Sequence, residues 1–116
     1  MIDFKSSTHD LARETFTLTV RLHGIRKPKA AQTFAEILGG IGMTVQRFVC
    51  WDSIGQAFIV AEYVAAGEAD EERANGILDF VYSLGYDTGC GIEEVYLASP
   101  RGQWLARNGC PVVIAL

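Results

Sequence analysis

Phe34-Ala35-Glu36-Ile37-Leu38-Gly39 returns later in the chain, at a constant offset, as Phe80-Val81-Tyr82-Ser83-Leu84-Gly85. In each copy an apolar run at helical spacing ends in Leu-Gly, follows a strand-like segment and leads through a short glycine-containing link into another. The pattern is a strand-helix-strand unit written twice, and the remaining segments are read outward from it.

Before the first copy, Thr15 to Leu22 alternates: Phe16, Leu18, Val20 and Leu22 point one way, Thr15, Thr17, Thr19 and Arg21 the other, which predicts a strand with one buried face. The link His23 to Lys27 leads to Pro28, whose fixed φ and missing N–H suit the first turn of a helix. Ala31, Phe34, Ala35, Leu38 and Ile41 form its apolar stripe, and Gly39, Gly40 and Gly42 supply a stop. Thr44 to Trp51 is predicted as a strand with both faces partly buried. The turn Asp52 to Gly55 brings Gln56 to Val64 back antiparallel. A second helix opens on Asp70, Glu71 and Glu72, where the helix dipole favours negative charge, carries Ala74, Ile77, Leu78, Val81 and Leu84 inward, and ends at Gly85. Ile92 to Leu97 is the fourth strand.

The order strand, helix, strand, strand, helix, strand predicts a single α+β domain of ferredoxin-like βαββαβ type, both helices on one face of an antiparallel sheet. Residues 1–14 read as an N-terminal arm and 15–97 as the domain. Residues 98–116 read as a C-terminal β-hairpin extension turning at Asn108-Gly109, packed over the open sheet face or against a partner. The expected core includes Phe16, Leu18, Val20, Phe34, Leu38, Val60, Ile77, Val81 and Leu84.

Composition restricts function. With 116 residues, 49% of them hydrophobic, the chain can bury one core. A net charge of −4 with scattered Lys and Arg argues against DNA or RNA, which demand a basic face. Cys50, Cys90 and Cys110 are an odd number without a CxxC pair or a His cluster, which speaks against a disulfide framework or a zinc site and for a reducing, cytoplasmic setting. No segment reaches the roughly 20 consecutive apolar residues of a membrane span. No cofactor or metal is expected.

Candidate chemistry is sparse. His23, Arg26, Lys27 and Lys29 form a basic loop entering a helix N-terminus, where a small carboxylate or phosphate could bind; the plainer reading is a solvated loop. Glu68, Asp70, Glu71 and Glu72 lack calcium-loop spacing and read as a solvated helix start. Glu93 and Glu94, adjacent in a strand, are expected to face opposite ways and so not to share a substrate. Cys90 is expected to be the most accessible thiol, although without a neighbouring His to activate it. Trp51, Tyr63, Trp104 and Val113 are candidates for an interface, the alternative being that the aromatics fill the core.

The stretch Phe16 to Leu97, with its strand ending Leu22-His23-Gly24, its helix after Pro28, the Leu38-Gly39 and Ile41-Gly42 exit and Ala57-Phe58-Ile59-Val60, resembles an ACT domain, a small regulatory module that pairs side by side and binds an amino acid at the interface. Where ACT domains carry an acidic residue followed by Pro-Gly, this chain has Arg26-Lys27-Pro28-Lys29. The absence of a paired acid and base, of a nucleophile with its base and of a metal cluster favours a non-enzymatic regulatory or binding module, the apolar strands and tail predict a homodimer, and the expected partner is a small anionic ligand at the basic loop or a protein. Two other classes stand beside it: an inhibitor or immunity-type interaction protein, and a small enzyme of the dimeric α+β barrel kind using His23, Tyr63 or Trp51.

Overall fold

The computed structural model describes residues 13–112. Two α-helices and six strands follow in order, with a short 3-10 turn (Asp52–Ile54) between the second and third strands: β1 (Thr15–His23), α1 (Ala30–Gly40), β2 (Thr44–Trp51), β3 (Gln56–Val64), α2 (Glu71–Thr88), β4 (Gly91–Ser99), β5 (Gly102–Arg107) and β6 (Cys110–Val112). The strands form one sheet in the order β2-β3-β1-β4-β5-β6, every neighbouring pair antiparallel. Among the described residues no helix is long and apolar enough to cross a membrane.

The alternation of β1 sets the core. Phe16, Leu18, Val20 and Leu22 are buried, and their register partners Ala61, Ile59 and Ala57 on β3, with Leu97, Val95 and Ile92 on β4, extend the same buried face. Both helices contribute to this cluster, α1 through Ala31, Phe34, Ala35 and Leu38, α2 through Ala74, Ile77, Val81 and Leu84. Val60, expected in the core, belongs to the opposite face and is only half-buried. Its partner across the sheet is Thr19, and the inward place at this point of β3 goes to Ile59.

Three features depart from the sequence reading. Gly85 does not end the second helix, which runs on to Thr88, where the hydroxyl donates to the Leu84 carbonyl over 2.8 Å. Gly85 is buried because α2 lies close to β4: a Cβ there would stand 2.7 Å from Ile92 Cγ1 and 2.9 Å from the Cys90 carbonyl oxygen. Cys90 is accordingly buried, while Cys50 and Cys110 are exposed. β2, expected to be covered on both sides, is a largely exposed edge strand, with a register shift between Val45 and Arg47 that bulges it.

The C-terminal strands lengthen the sheet instead of lying across its open face. β5 pairs with β4 after a short turn at Pro100 and Arg101, and β6 pairs with β5 after Asn108-Gly109, both with positive φ (49° and 84°) as a two-residue type I′ turn requires. The Gly109 N–H donates to the Tyr82 hydroxyl, which seats this turn on α2. At the other end of the sheet Glu14, assigned to the arm, is part of the fold. Its carboxylate accepts from Arg101 Nε at 2.7 Å and from the Ala69 N–H at 2.9 Å, and Arg101 also reaches Glu68 at 3.1 Å. These contacts tie the start of β1, the link before α2 and the β4–β5 turn together. Residues 1–12 of the expected arm lie outside the described residues.

Candidate functional site

The basic loop is built by two backbone constraints. Past β1, the Ile25 N–H donates to the Gly55 carbonyl over 3.1 Å, so the loop is fastened to the β2–β3 turn. Gly55 has φ +63°, and a Cβ on it would stand 2.9 Å from the Ile25 carbonyl oxygen. Further on, the Ala30 N–H donates to the Lys27 carbonyl at 3.2 Å around Pro28 and Lys29, and Lys29 takes φ 71°, ψ 0°. That is the geometry of a type II turn with lysine where glycine is usual. Lys29 is also the N-cap of α1, its carbonyl accepting from Thr33 N–H at 2.9 Å. No side chain caps the helix and no acidic residue lies in its first turn.

A cleft of 340 Å³ opens between this loop and the β2 edge. Ile25, Lys27, Pro28, Lys29 and Gln32 line one side, Phe48, Cys50 and Asp52 the other. An adjoining recess of 210 Å³ adds Arg26 and Gly55. Lys27 lines both, Arg26 the recess and Lys29 the cleft. The Cys50 thiol donates to Asp52 Oδ1 at 3.1 Å. Desolvation and then the Asp52 carboxylate push the thiol pKa up, so Cys50 is held as a neutral hydrogen-bond donor and not as a thiolate.

His23 is not part of that cleft. It pairs with Gly91 on β4, where a Cβ would come within 2.9 Å of the imidazole Cδ2. By register it lies with Arg21 on the face of the sheet away from the helices. The interface candidates also divide. Trp51 is exposed at the sheet edge and lines a recess with Arg21, Gln56, Phe58 and Glu93. Trp104 and Tyr63 pack against the core on the helix side, Trp104 with its ring 6.0 Å from that of Phe16 and tilted by 59°. Tyr63 borders a separate apolar groove with Ile41, Met43, Arg73, Ile77 and Phe80. Val113 lies outside the described residues.

The adjacent carboxylates Glu93 and Glu94 do not alternate. Arg21 pairs with Glu94 and Leu22 with Ile92, so Glu93 is an extra residue in β4. The bulge turns both glutamates to the helix-free side. Glu94 accepts there from Arg107 Nε at 2.9 Å, and Glu93 lines the recess with Arg21 and Trp51. Arg21 lies over the Phe58 ring at 6.0 Å. The strand pattern concealed this group, because one inserted residue leaves no mark in composition.

In the acidic segment, Asp70 caps α2 by accepting from Arg73 N–H at 3.1 Å, and Glu68 is paired with Arg101. Both carboxylates are occupied in holding the loop. No family model, no curated protein and no solved structure matches this chain.

Proposed function

We propose that the chain is a non-catalytic binding module that acts as an oligomer and holds a small anion in the cleft between the Ile25–Lys29 loop and the Cys50–Gly55 turn. The observation that carries this is that Arg26, Lys27 and Lys29 line two adjoining depressions beside the N-terminus of α1, which no side chain caps, in a protein whose net charge is −4. The positive helix end and three nearby cations favour an anion there, with Asp52 and Gln32 available to orient its polar parts. The fold reading belongs to the same proposal. The order β2-β3-β1-β4 with two helices supports a ferredoxin-like unit over residues 15–97, with 98–116 as an extension that widens the sheet. The ACT-like reading extends to the loop in one respect: Lys29, at φ 71°, occupies the place of the glycine in the Pro-Gly turn.

The enzyme class is disfavoured by geometry. His23 packs against Gly91 on one face of the sheet, Tyr63 on the other, and Cys50 is a neutral donor to Asp52. A thermal-shift screen with amino acids, phosphate, nucleotides and small carboxylates tests the proposal, since a ligand at about 100 times its Kd stabilises by about 2.7 kcal/mol. A rise in Tm with one class of anion supports it. Silence across the anions overturns it and favours the protein-interaction class.

A further inference from the structure

A further groove, of 230 Å³, lies on the helix side of the sheet, past the end of α1 and beside the first turns of α2. Its walls are apolar: Ile41 and Met43 follow α1, Tyr63 comes from β3, and Ile77 and Phe80 from α2. Among the described residues Arg73 is the one charged side chain that lines it. That guanidinium is held by two backbone carbonyls, donating from Nη1 to Glu68 at 2.8 Å and from Nη2 to Ala66 at 3.3 Å. Those bonds fix its place without neutralising its charge, and no carboxylate among the described residues forms an ion pair with it.

Gly76 also lines the groove, and it differs from the other glycine of α2. At Gly85 a Cβ would collide with Ile92, so packing within the chain accounts for the glycine. At Gly76 a Cβ would meet nothing within 4 Å. Alanine is the better residue inside a helix, so no contact of the chain itself calls for glycine here, and the room it leaves belongs to the groove. We propose that the groove binds a compact apolar monocarboxylate, its hydrocarbon part over Gly76 against Met43, Ile77 and Phe80 and its carboxylate toward Arg73. The site and its ligand class are separate from those of the anion cleft, whose lining is mostly polar and cationic. Two features select this occupant. The volume lies just under the usual range of small-molecule sites, roughly 300–1,000 Å³, which suits a compact ligand. The charge is a single cation beside apolar walls, which an acid with a hydrocarbon body complements, whereas a second copy docked groove to groove would set like charge against like charge.

The chain holds two methionines, and Met43 is buried in the wall of the groove. NMR of the full chain with isotope-labelled methionine methyl groups therefore reads the groove directly, the Met43 signal being the one missing from Met43→Leu. Phenylacetate at up to about 10 mM, enough to fill a site of millimolar Kd, should move that signal, and phenylacetamide, alike in shape but uncharged, should bind at least about tenfold more weakly. The charge is varied on the ligand because Arg73 also holds the loop before α2. Gly76→Ala should fold with Tm unchanged or raised, yet weaken phenylacetate by at least about tenfold, since its methyl group takes the room the ligand needs. Arg26→Ala with Lys29→Ala should leave the Met43 response as it is, so that failure of the anion cleft and failure of this site are told apart. A Met43 signal that phenylacetate does not move, an amide that binds as well as the acid, or binding that Gly76→Ala leaves untouched overturns the proposal. A signal that moves with protein concentration and not with the acid assigns the groove to a second copy and overturns it too. Should Gly76→Ala fail to fold, the comparison of acid with amide on the wild-type chain decides the matter.

Discussion

The Ile25 N–H reaches the Gly55 carbonyl across 3.1 Å, and through that bond the loop that carries the cations is fixed to the turn that carries Asp52. Gly55 permits this approach because it lacks a side chain and because φ +63° is accessible to it. Gly55→Ala adds a Cβ against a backbone oxygen that cannot swing away. Chemical denaturation should show a loss of about 1 to 3 kcal/mol. Any anion-induced rise in Tm should shrink with it, because the two walls of the cleft separate.

Lys29 permits charge and backbone to be tested apart. Lys29→Gly relieves a left-handed lysine, so urea denaturation should show stability unchanged or raised by up to about 1 kcal/mol, the loss of strain being partly offset by the freer unfolded chain. Removing two cations together, Arg26→Ala with Lys29→Ala, should leave the fold in place, since exposed charges contribute little to stability. The same double variant should weaken a small anion by at least about tenfold in titration calorimetry, about 1.4 kcal/mol.

At Gly85 α2 lies close against β4. Alanine is the better helix former, by up to about 1 kcal/mol, but its methyl group would fall on Ile92 and on the Cys90 carbonyl oxygen. Overpacking against a backbone atom should win: Gly85→Ala should be destabilised by about 1 to 3 kcal/mol in denaturant titration. Phe34→Ala, which opens a cavity in the centre of the core, should cost about 3 to 5 kcal/mol.

Glu14 introduces a pH dependence at the acid end. Its hydrogen bond from Arg101, and then that from the Ala69 N–H, hold its pKa below the ordinary value of 4.5. The folded pKa is the depressed one. The stabilisation is therefore fully present above 4.5 and is lost as pH falls through the folded value. Because the pair is solvent-screened the effect is small, and Glu14→Gln should flatten the acid limb of a Tm-against-pH curve without lowering Tm by much at neutral pH.

How much of this could be read in advance depends on whether a signal was local. The alternation of Thr15 to Leu22 located β1 because one of its faces is buried and the other is largely threonine. Asn108-Gly109 located its turn because few dipeptides tolerate two positive φ angles in succession. β3 resisted, since Phe58 and Val60 on the open face are as apolar as Ile59 on the closed one, and the period of two gave no direction for Val60. Gly85 resembled a helix stop because a glycine inside a tightly packed helix and one just past its end look the same without the neighbour, here Ile92. In the cleft, the spacing of Arg26, Lys27 and Lys29 identified the basic loop. The opposing wall of Phe48, Cys50 and Asp52 comes from a strand and the turn after it, whose position only the tertiary structure supplies.

Both margins of the sheet are poor templates for another strand. On β2 the ladder is interrupted between Val45 and Arg47, and on β6 Pro111, opposite Ala106, has no N–H to offer. A protein with six strands and apolar residues on both sides of its sheet would otherwise risk growing sideways, copy upon copy, into fibres. With its margins blunted among the described residues, the sheet resists growth strand upon strand, and any meeting of copies has to use a surface other than these two edges.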